Sequence, residues 1–346
     1  MRPSRREVLA RAGGASLALA FMPAVARADL LPPDTGEQKT EALADRVIDA
    51  LERAYGRHRG LRRNHTKGVG ARGVFVGNPE ASVYSRSALF SGATIDVVAR
   101  FSLAGGDPEA SDAERSPRGL GLEFRMPDGG LHHMTLLHTP MFFATTPKTF
   151  LDKFVALAVD PKTGTHDPAK LTAFQASHPD IASQVKFLAA NNPPASYASC
   201  SYYGIHTFKC VDARNAMTLV KLRFAPQDGD EALTDAELAT APRDFLEKAL
   251  IERLAKGPAR WDLILTIGEP DDEQLDPTVL WPAGRKEVTA GTLTLTSAAP
   301  AAVAGSNKIN FDPLVMADGI EPTDDPILLF RSASYATSFT RRLRDV

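Results

Sequence analysis

The sequence predicts an α+β protein, a β-barrel of about eight strands carrying helical insertions. Three observations lead there. Segments with strand period recur along most of the chain, separated by turn signals. Helical pattern is confined to a lead-in, two insertions and the last stretch, without the regular strand–helix alternation of a parallel sheet. With 346 residues at 43% hydrophobic content, the chain can bury one large core, and no short-period repeat or linker divides it into independent domains.

The first 28 residues are expected to lie outside this fold. Arg5-Arg6 precede a modestly apolar, Gly/Ala-rich stretch through Phe21, and Ala26-Arg27-Ala28 fits a small-x-small cleavage site. The run is too short to span a membrane. Paired arginines ahead of such a run read as a twin-arginine export signal, so a periplasmic protein is expected, with its folded domain over residues 29–346. Without residues 1–28 the chain holds 35 Lys+Arg against 41 Asp+Glu, a net charge of -6. That balance asks for no nucleic-acid partner, and no later stretch is apolar enough for membrane insertion.

Residues 41–52 place Leu43, Val47, Ala50 and Leu51 on one helical face, and Gly56 and Gly60 mark its end. Residues 74–76, 95–101, 120–124 and 134–136 read as strands, with turns at Gly105-Gly106-Asp107-Pro108 and Pro127-Asp128-Gly129-Gly130. His132-His133, next to that second turn, read as a turn pair and not as a metal site. Residues 147–192 read as helical: Phe150, Phe154 and Leu157 share a face, and Ile181, Val185 and Leu188 share a later one, before Asn191-Asn192-Pro193-Pro194 stops the element. Residues 217–224 turn Val220, Leu222 and Phe224 to one side; 231–252 read as helix; 261–267 and 284–295 add strand. Asp324-Asp325-Pro326 reads as a turn or N-cap ahead of a helix carrying Tyr335.

Cys200 and Cys210 are the two cysteines, and the segment between them reads largely as strand. Ten extended residues span about 33 Å, whereas a disulfide needs Cα atoms within roughly 7 Å. Two buried thiols are therefore expected, although an oxidising compartment permits disulfides. Their spacing fits no metal motif. The 17 Phe against 6 Tyr suit packing around something large and flat, and equally suit a big core.

Two segments far apart carry the candidate chemistry. In Arg62-Arg63-Asn64-His65-Thr66-Lys67-Gly68, a histidine ringed by Arg62, Arg63 and Lys67 suggests an anionic ligand, though a surface basic cluster would look the same. In Arg331-Ser332-Ala333-Ser334-Tyr335, the arginine and tyrosine stand one helical turn apart on one face, with Arg342 seven residues later.

Taken with five intervening blocks, these segments resemble the catalase family from about residue 55 to the C-terminus. The blocks are Arg100-Phe101-Ser102 with Ala104-Gly105, Glu114-Arg115-Ser116-Pro117-Arg118-Gly119, Thr139-Pro140-Met141-Phe142-Phe143, Ser201-Tyr202-Tyr203-Gly204-x-His206-x-Phe208-Lys209 and Asp276-Pro277-Thr278-x-x-Trp281-Pro282. All seven occur in the family's order. The length resembles the smaller catalase-related haem peroxidases. The resemblance implies an eight-stranded antiparallel barrel of the catalase type, without the large C-terminal helical domain, and a bound haem, expected to be haem b. Tyr335 would be the axial ligand of the haem iron as phenolate. A phenol is ordinarily neutral at pH 7, and the Arg331 cation would favour its anion and tune the iron. His65 would move a proton between the two peroxide oxygens, with Ser102 fixing its tautomer. Arg62, Arg100 and Arg342 would meet the haem propionates. Phe143 and Phe150 would be apolar pocket wall.

One position departs from the family, which usually has an asparagine just before the Thr139-Pro140 pair; here it is His138. His138 is taken as a second distal catalytic group, with two alternatives: a loop histidine turned away, or a shifted register. The departure and the short chain imply a peroxidase that uses hydrogen peroxide and a small organic reductant, with weak catalase activity and possible use of organic peroxides. They also imply a monomer or small homo-oligomer without an NADPH site. The competing readings are a true catalase, a haem-dependent lyase or isomerase of fatty-acid hydroperoxides, and a haem carrier.

Overall fold

Eight strands wind antiparallel around one core and close on themselves. The structure is a computed structural model that describes residues 36–301 and 303–345; the expected export signal lies outside the described residues. The strands are β1 Gly68–Gly77, β2 Thr94–Leu103, β3 Arg118–Arg125, β4 Leu131–Leu137, β5 Tyr202–Val211, β6 Met217–Pro226, β7 Ala259–Ile267 and β8 Glu287–Pro300. Each pairs with its sequence neighbour except across β4–β5, where Leu137 opposite Tyr203 makes the joint, and β8 returns to β1. A short β9, Ile320–Pro322, adds to β5 outside the ring. The prediction of a closed eight-stranded barrel holds, with closure between β4 and β5 resting on the single pair Leu137–Tyr203.

The barrel interior is filled by Phe75, Phe101, Phe124, Phe224, Trp261, Leu293 and their neighbours. Strand period explains which residues reach it. On β2, Ile95, Val97, Ala99 and Phe101 point inward, so Val98, Arg100 and Ser102 point outward. Those outward residues are buried too, because a helical layer covers that face.

The layer contains α1 Gly36–Tyr55, α2 Pro147–Ala156, α3 Pro168–Ser177, α4 Ala182–Ala190 and α7 Pro326–Arg344, while α5 Asp235–Thr240 and α6 Phe245–Ala255 lie in the second insertion. Val47, Ile48, Leu51, Phe154, Phe174, Ile327 and Phe330 join α1, α2, α3 and α7 in a second core. Gly56, at φ 82°, ends α1 in the left-handed conformation that glycine adopts at low cost. Asp325 caps α7, accepting from the N–H groups of Ile327 and Leu328, with Pro326 at the first helical position.

Three expectations change. The helical stretch 147–192 is three helices and a 3-10 turn, interrupted near Pro168 and Pro179, so its later apolar face does not hold: Ile181 is buried but Val185 is 45% exposed. Residues 231–252 likewise give two helices. His132 and His133 are buried strand residues of β4 rather than a turn pair; two histidines in succession gave no period to read. Cys200 and Cys210 are free and buried, as expected.

Candidate active site

His65 sits in the turn just ahead of β1, with a left-handed backbone at φ 54°. Such a conformation costs a non-glycine residue roughly 1 kcal/mol or more, and local bonds hold it. Asn64 Oδ1 accepts from the N–H of His65 at 3.0 Å and of Gly105 at 2.9 Å, and the Thr66 hydroxyl donates to the Arg62 carbonyl at 2.6 Å. The imidazole is thereby presented to β2, where its Nδ1 lies 3.0 Å from Ser102 Oγ. The Ser102 hydroxyl donates its one proton to the Gly119 carbonyl, at 3.5 Å. The proton between ring and serine is therefore assigned to His65 Nδ1, leaving Nε2 as a free lone pair. Gly119 permits this approach: a Cβ there would lie 2.8 Å from His65 Nδ1 and 2.9 Å from Ser102 Oγ. Burial, then the charges of Arg100, Arg331 and Arg62, lower the His65 pKa to about 3. The ring is a neutral base at working pH.

Tyr335 projects from α7. Arg331, one turn earlier, donates to the Tyr335 oxygen at 2.9 Å and to Thr135 Oγ1 at 2.6 Å. Its other terminal nitrogen lies 3.0 Å from His206 Nε2. A guanidinium can only donate, so His206 accepts at Nε2 and carries its proton on Nδ1, which donates to Asp325 Oδ2 at 2.6 Å. The carboxylate that caps α7 thus also anchors a chain through His206 and Arg331 to Tyr335. Burial lowers the His206 pKa to about 4 despite the Asp325 bond, which favours the charged form. His206 reaches this position from the irregular stretch of β5, where the register with β6 shifts between Gly204 and Phe208.

Both assemblies open on one cavity of about 870 Å³ between the barrel wall and the helical layer. Of the predicted residues, Arg62, His65, Arg100, Ser102, Phe150, Arg331, Tyr335 and Arg342 line it. Besides Arg331, three of these are arginines without an ion pair among the described residues. Arg62 donates to the Ile309 carbonyl at 2.7 Å and the Ser306 carbonyl at 3.2 Å; Arg100 donates to the Thr66 carbonyl at 2.9 Å with its Nε unpartnered; Arg342 reaches only the Ile309 carbonyl, at 3.5 Å, and the Phe339 ring. Burial, then repulsion from Arg100 and Arg342, pulls the Arg62 pKa well down, and burial lowers that of Arg100 to about 10. Buried cations with no counter-charge are costly; an anionic ligand in the cavity would relieve them. A flat cavity-filling group with two carboxylates, flanked by an oxygen donor held by Arg331, fits these residues.

A second cavity of about 480 Å³ shares His65, Asn64, Leu137 and Phe150 with the first. Phe143 lines this one rather than the larger. His138 lines neither. Its Nδ1 accepts from the Arg118 N–H at 2.9 Å and its ring packs edge-on to Phe187, so the expectation of a second distal donor gives way to the loop histidine turned away. Leu137, the last residue of β4, lines both cavities instead. The basic ring around His65 also dissolves. Arg63 pairs with Glu52 at 2.8 Å and Asp345 at 2.6 Å, and Lys67 with Asp112 at 2.9 Å and Asp244 at 2.5 Å, leaving only Arg62 on the cavity. The sequence pointed to no role for Asn64, Gly119, Thr135 or His206, and to a turn or helix cap alone for Asp325. Of these, Asn64, Gly119 and His206 stood inside the segments that carry the resemblance.

The buried histidines set a pH dependence of stability. His65, His132 and His138 are held near a pKa of about 3 and His206 near about 4, mainly by burial, while an unfolded histidine titrates near 6.5. The unfolded chain therefore binds protons first as pH falls. Their contribution is complete above about pH 6.5 and is lost between there and about pH 3–4, on the order of 1 kcal/mol per pH unit for each histidine. Urea unfolding of the haem-free protein at pH 7.5 and 5.5 is expected to show a clear loss of stability at the lower pH. Equal midpoints would contradict the neutral assignment.

Comparison with known proteins agrees with the fold. The family model described as Catalase matches residues 35–345. A catalase-related peroxidase of Synechococcus elongatus is 50% identical over 309 residues, covering 89% of this chain and 91% of the relative. One of Mycolicibacterium paratuberculosis is 32% identical, covering 86% and 94%. Catalase A from Saccharomyces cerevisiae superposes with a TM-score of 0.77 at 25% identity, covering 86% of this chain and 64% of that one. The chain belongs to the catalase family, in its small catalase-related peroxidase subgroup, and is an oxidoreductase acting on peroxide.

Proposed function

We propose that the chain is a haem peroxidase that reduces hydrogen peroxide with electrons from a small organic donor and releases little O₂. The observation that carries this is the convergence on one cavity of His65 with Ser102, Tyr335 with Arg331, and three arginines lacking any carboxylate partner. Tyr335 Oη would ligate the haem iron, the haem being of the b type. Arg62, Arg100 and Arg342 would meet its two propionates, and Phe150 would pack on it. The haem, when bound, supplies a redox-active iron able to take up the oxidising equivalents of the peroxide.

The residues of the chain do the rest. His65 Nε2 accepts the proton of the nearer peroxide oxygen and returns it to the farther one, so that water leaves. Ser102 keeps the Nδ1 proton in place, so Nε2 remains the acceptor. Arg331, buttressed by His206 and Asp325, holds positive charge against the Tyr335 oxygen and fixes where that oxygen points. Phe143 and Phe150 exclude water.

Two features favour donor oxidation over disproportionation. Apolar Leu137 faces the cavity while His138, at the family's usual asparagine position, is turned away from it, and an aromatic second cavity meets the His65 wall. O₂ release and oxidation of a phenol, compared at equal peroxide on haem-loaded protein, test the reading. Donor turnover is expected to exceed O₂ release; vigorous O₂ release outrunning the donor would show a true catalase. Export to the periplasm is part of the proposal, supported by Arg5-Arg6 and Ala26-Arg27-Ala28.

A further inference from the structure

The second cavity holds one charged side chain, Lys153, that no carboxylate among the described residues answers. Its walls are aromatic: Phe142, Phe143, Phe150 and Phe154 stack in a cluster with ring centroids 4.6 to 6.4 Å apart. Lys153 on α2 enters among them, its Nζ 3.8 Å from the Phe143 ring centroid and 5.9 Å from that of Phe154. No carboxylate or carbonyl among the described residues accepts from this ammonium. The nearby carboxylate of Asp152 is taken by Lys148 and His178. Every other ionisable group lining the cavity is uncharged at neutral pH: His65, with its pKa near about 3, and Tyr55, whose phenol burial pushes up to about 12.

The contrast with other inward lysines is informative. Lys67 meets two carboxylates, and Lys221 donates to the Val279 carbonyl at 3.2 Å. Lys153 has only ring faces, which attract a cation weakly compared with an anion. Burial lowers its pKa to about 8, so it is still largely protonated at pH 7. A desolvated ammonium on an aromatic wall, facing a cavity that shares His65 with the larger one, is a receptor for one kind of molecule: an aromatic ring bearing a carboxylate.

We propose that the second cavity binds a small aromatic carboxylate, its carboxylate on Lys153 Nζ and its ring among Phe143, Phe150 and Phe154. The organic donor of the peroxidase reaction is then a phenol carrying a carboxylate. This donor assignment rests on the peroxidase reading above; the binding site itself does not. Two such phenols each give up one electron and one proton, leaving two phenoxyl radicals, and the two electrons and two protons reduce one H₂O₂ to two waters.

The test uses haem-loaded full-length protein. Calorimetric binding of 3-phenylpropionate, which cannot be oxidised as a phenol, is compared with that of 3-phenylpropanamide, an uncharged analogue. Wild type is expected to prefer the carboxylate by at least tenfold. Lys153→Met should erase that preference and Lys153→Arg should keep most of it. With 3-(4-hydroxyphenyl)propionate as donor, Lys153→Met should raise KM about tenfold while leaving KM for its methyl ester unchanged. Equal binding of carboxylate and amide to wild type, or an unchanged preference in Lys153→Met, overturns the site. A preserved carboxylate preference with no phenol oxidation would instead sink the peroxidase reading and leave the site standing.

Discussion

Replacing Tyr335 with phenylalanine is expected to cost the protein its haem. The substitution removes one oxygen and little volume, so α7 and its packing through Ile327 and Phe330 should survive. What disappears is the oxygen to which Arg331 donates on that side of the cavity. Loss of partners that merely support a metal ligand lowers metal affinity by about 10–100-fold; loss of the ligand itself should exceed that. Reconstitution followed by gel filtration, read at the Soret band against protein absorbance, should show stoichiometric haem in wild type and little in Tyr335→Phe. Arg331→Leu should fall between them. Circular dichroism of the haem-free proteins separates this from misfolding. Haem retention equal to wild type in folded Tyr335→Phe would remove Tyr335 as the ligand and the proposal with it.

His65→Ala is expected to do the opposite: keep the haem and lose the chemistry. His65 touches the ligand cavity from the barrel side, and its only side-chain hydrogen bond is to Ser102. Its removal leaves Arg62, Arg100, Arg342 and Tyr335 in place. A positioned acid–base group contributes about 10²–10⁴-fold, so stopped-flow reaction with hydrogen peroxide should slow by that order while the resting spectrum stays that of haem-loaded protein. Because the His65 pKa lies near about 3, the wild-type rate should show no loss of a base near pH 6.5 as pH falls from 8 to 5. A wild-type profile that bends at 6.5, or an alanine variant that reacts at the wild-type rate, would remove His65 from the proton-transfer role.

Much of this was readable in one dimension. Strand alternation in β2, β3 and β6, glycine at the end of α1 and the Asp-Pro start of α7 are local signals, because each depends on a residue and its near neighbours. The cysteines were readable for the same reason: strand rise alone keeps Cys200 and Cys210 apart. The arginine-to-tyrosine spacing on α7 follows from helical period. Where local signals failed, a distant partner had decided. Arg63 and Lys67 read as part of a cationic ring around His65, yet Glu52, Asp345, Asp112 and Asp244 claim them. His138 read as a distal group, yet Leu137 lines the cavity while His138 turns to Arg118 and Phe187.

The sequence by itself determined the fold class, the family and the two segments in which the candidate chemistry lies. Periodicity and motif are properties of contiguous residues, and contiguous residues are what a sequence displays. Only the tertiary structure decided which side chains share a cavity, which arginines lack a counter-charge, and which half-buried lysine faces an aromatic wall. Burial and pairing of charge depend on groups brought together by barrel closure and by the helical layer. Residues such as Asp325 and Tyr335, or Lys153 and His65, acquire a common environment only when that layer packs on the barrel.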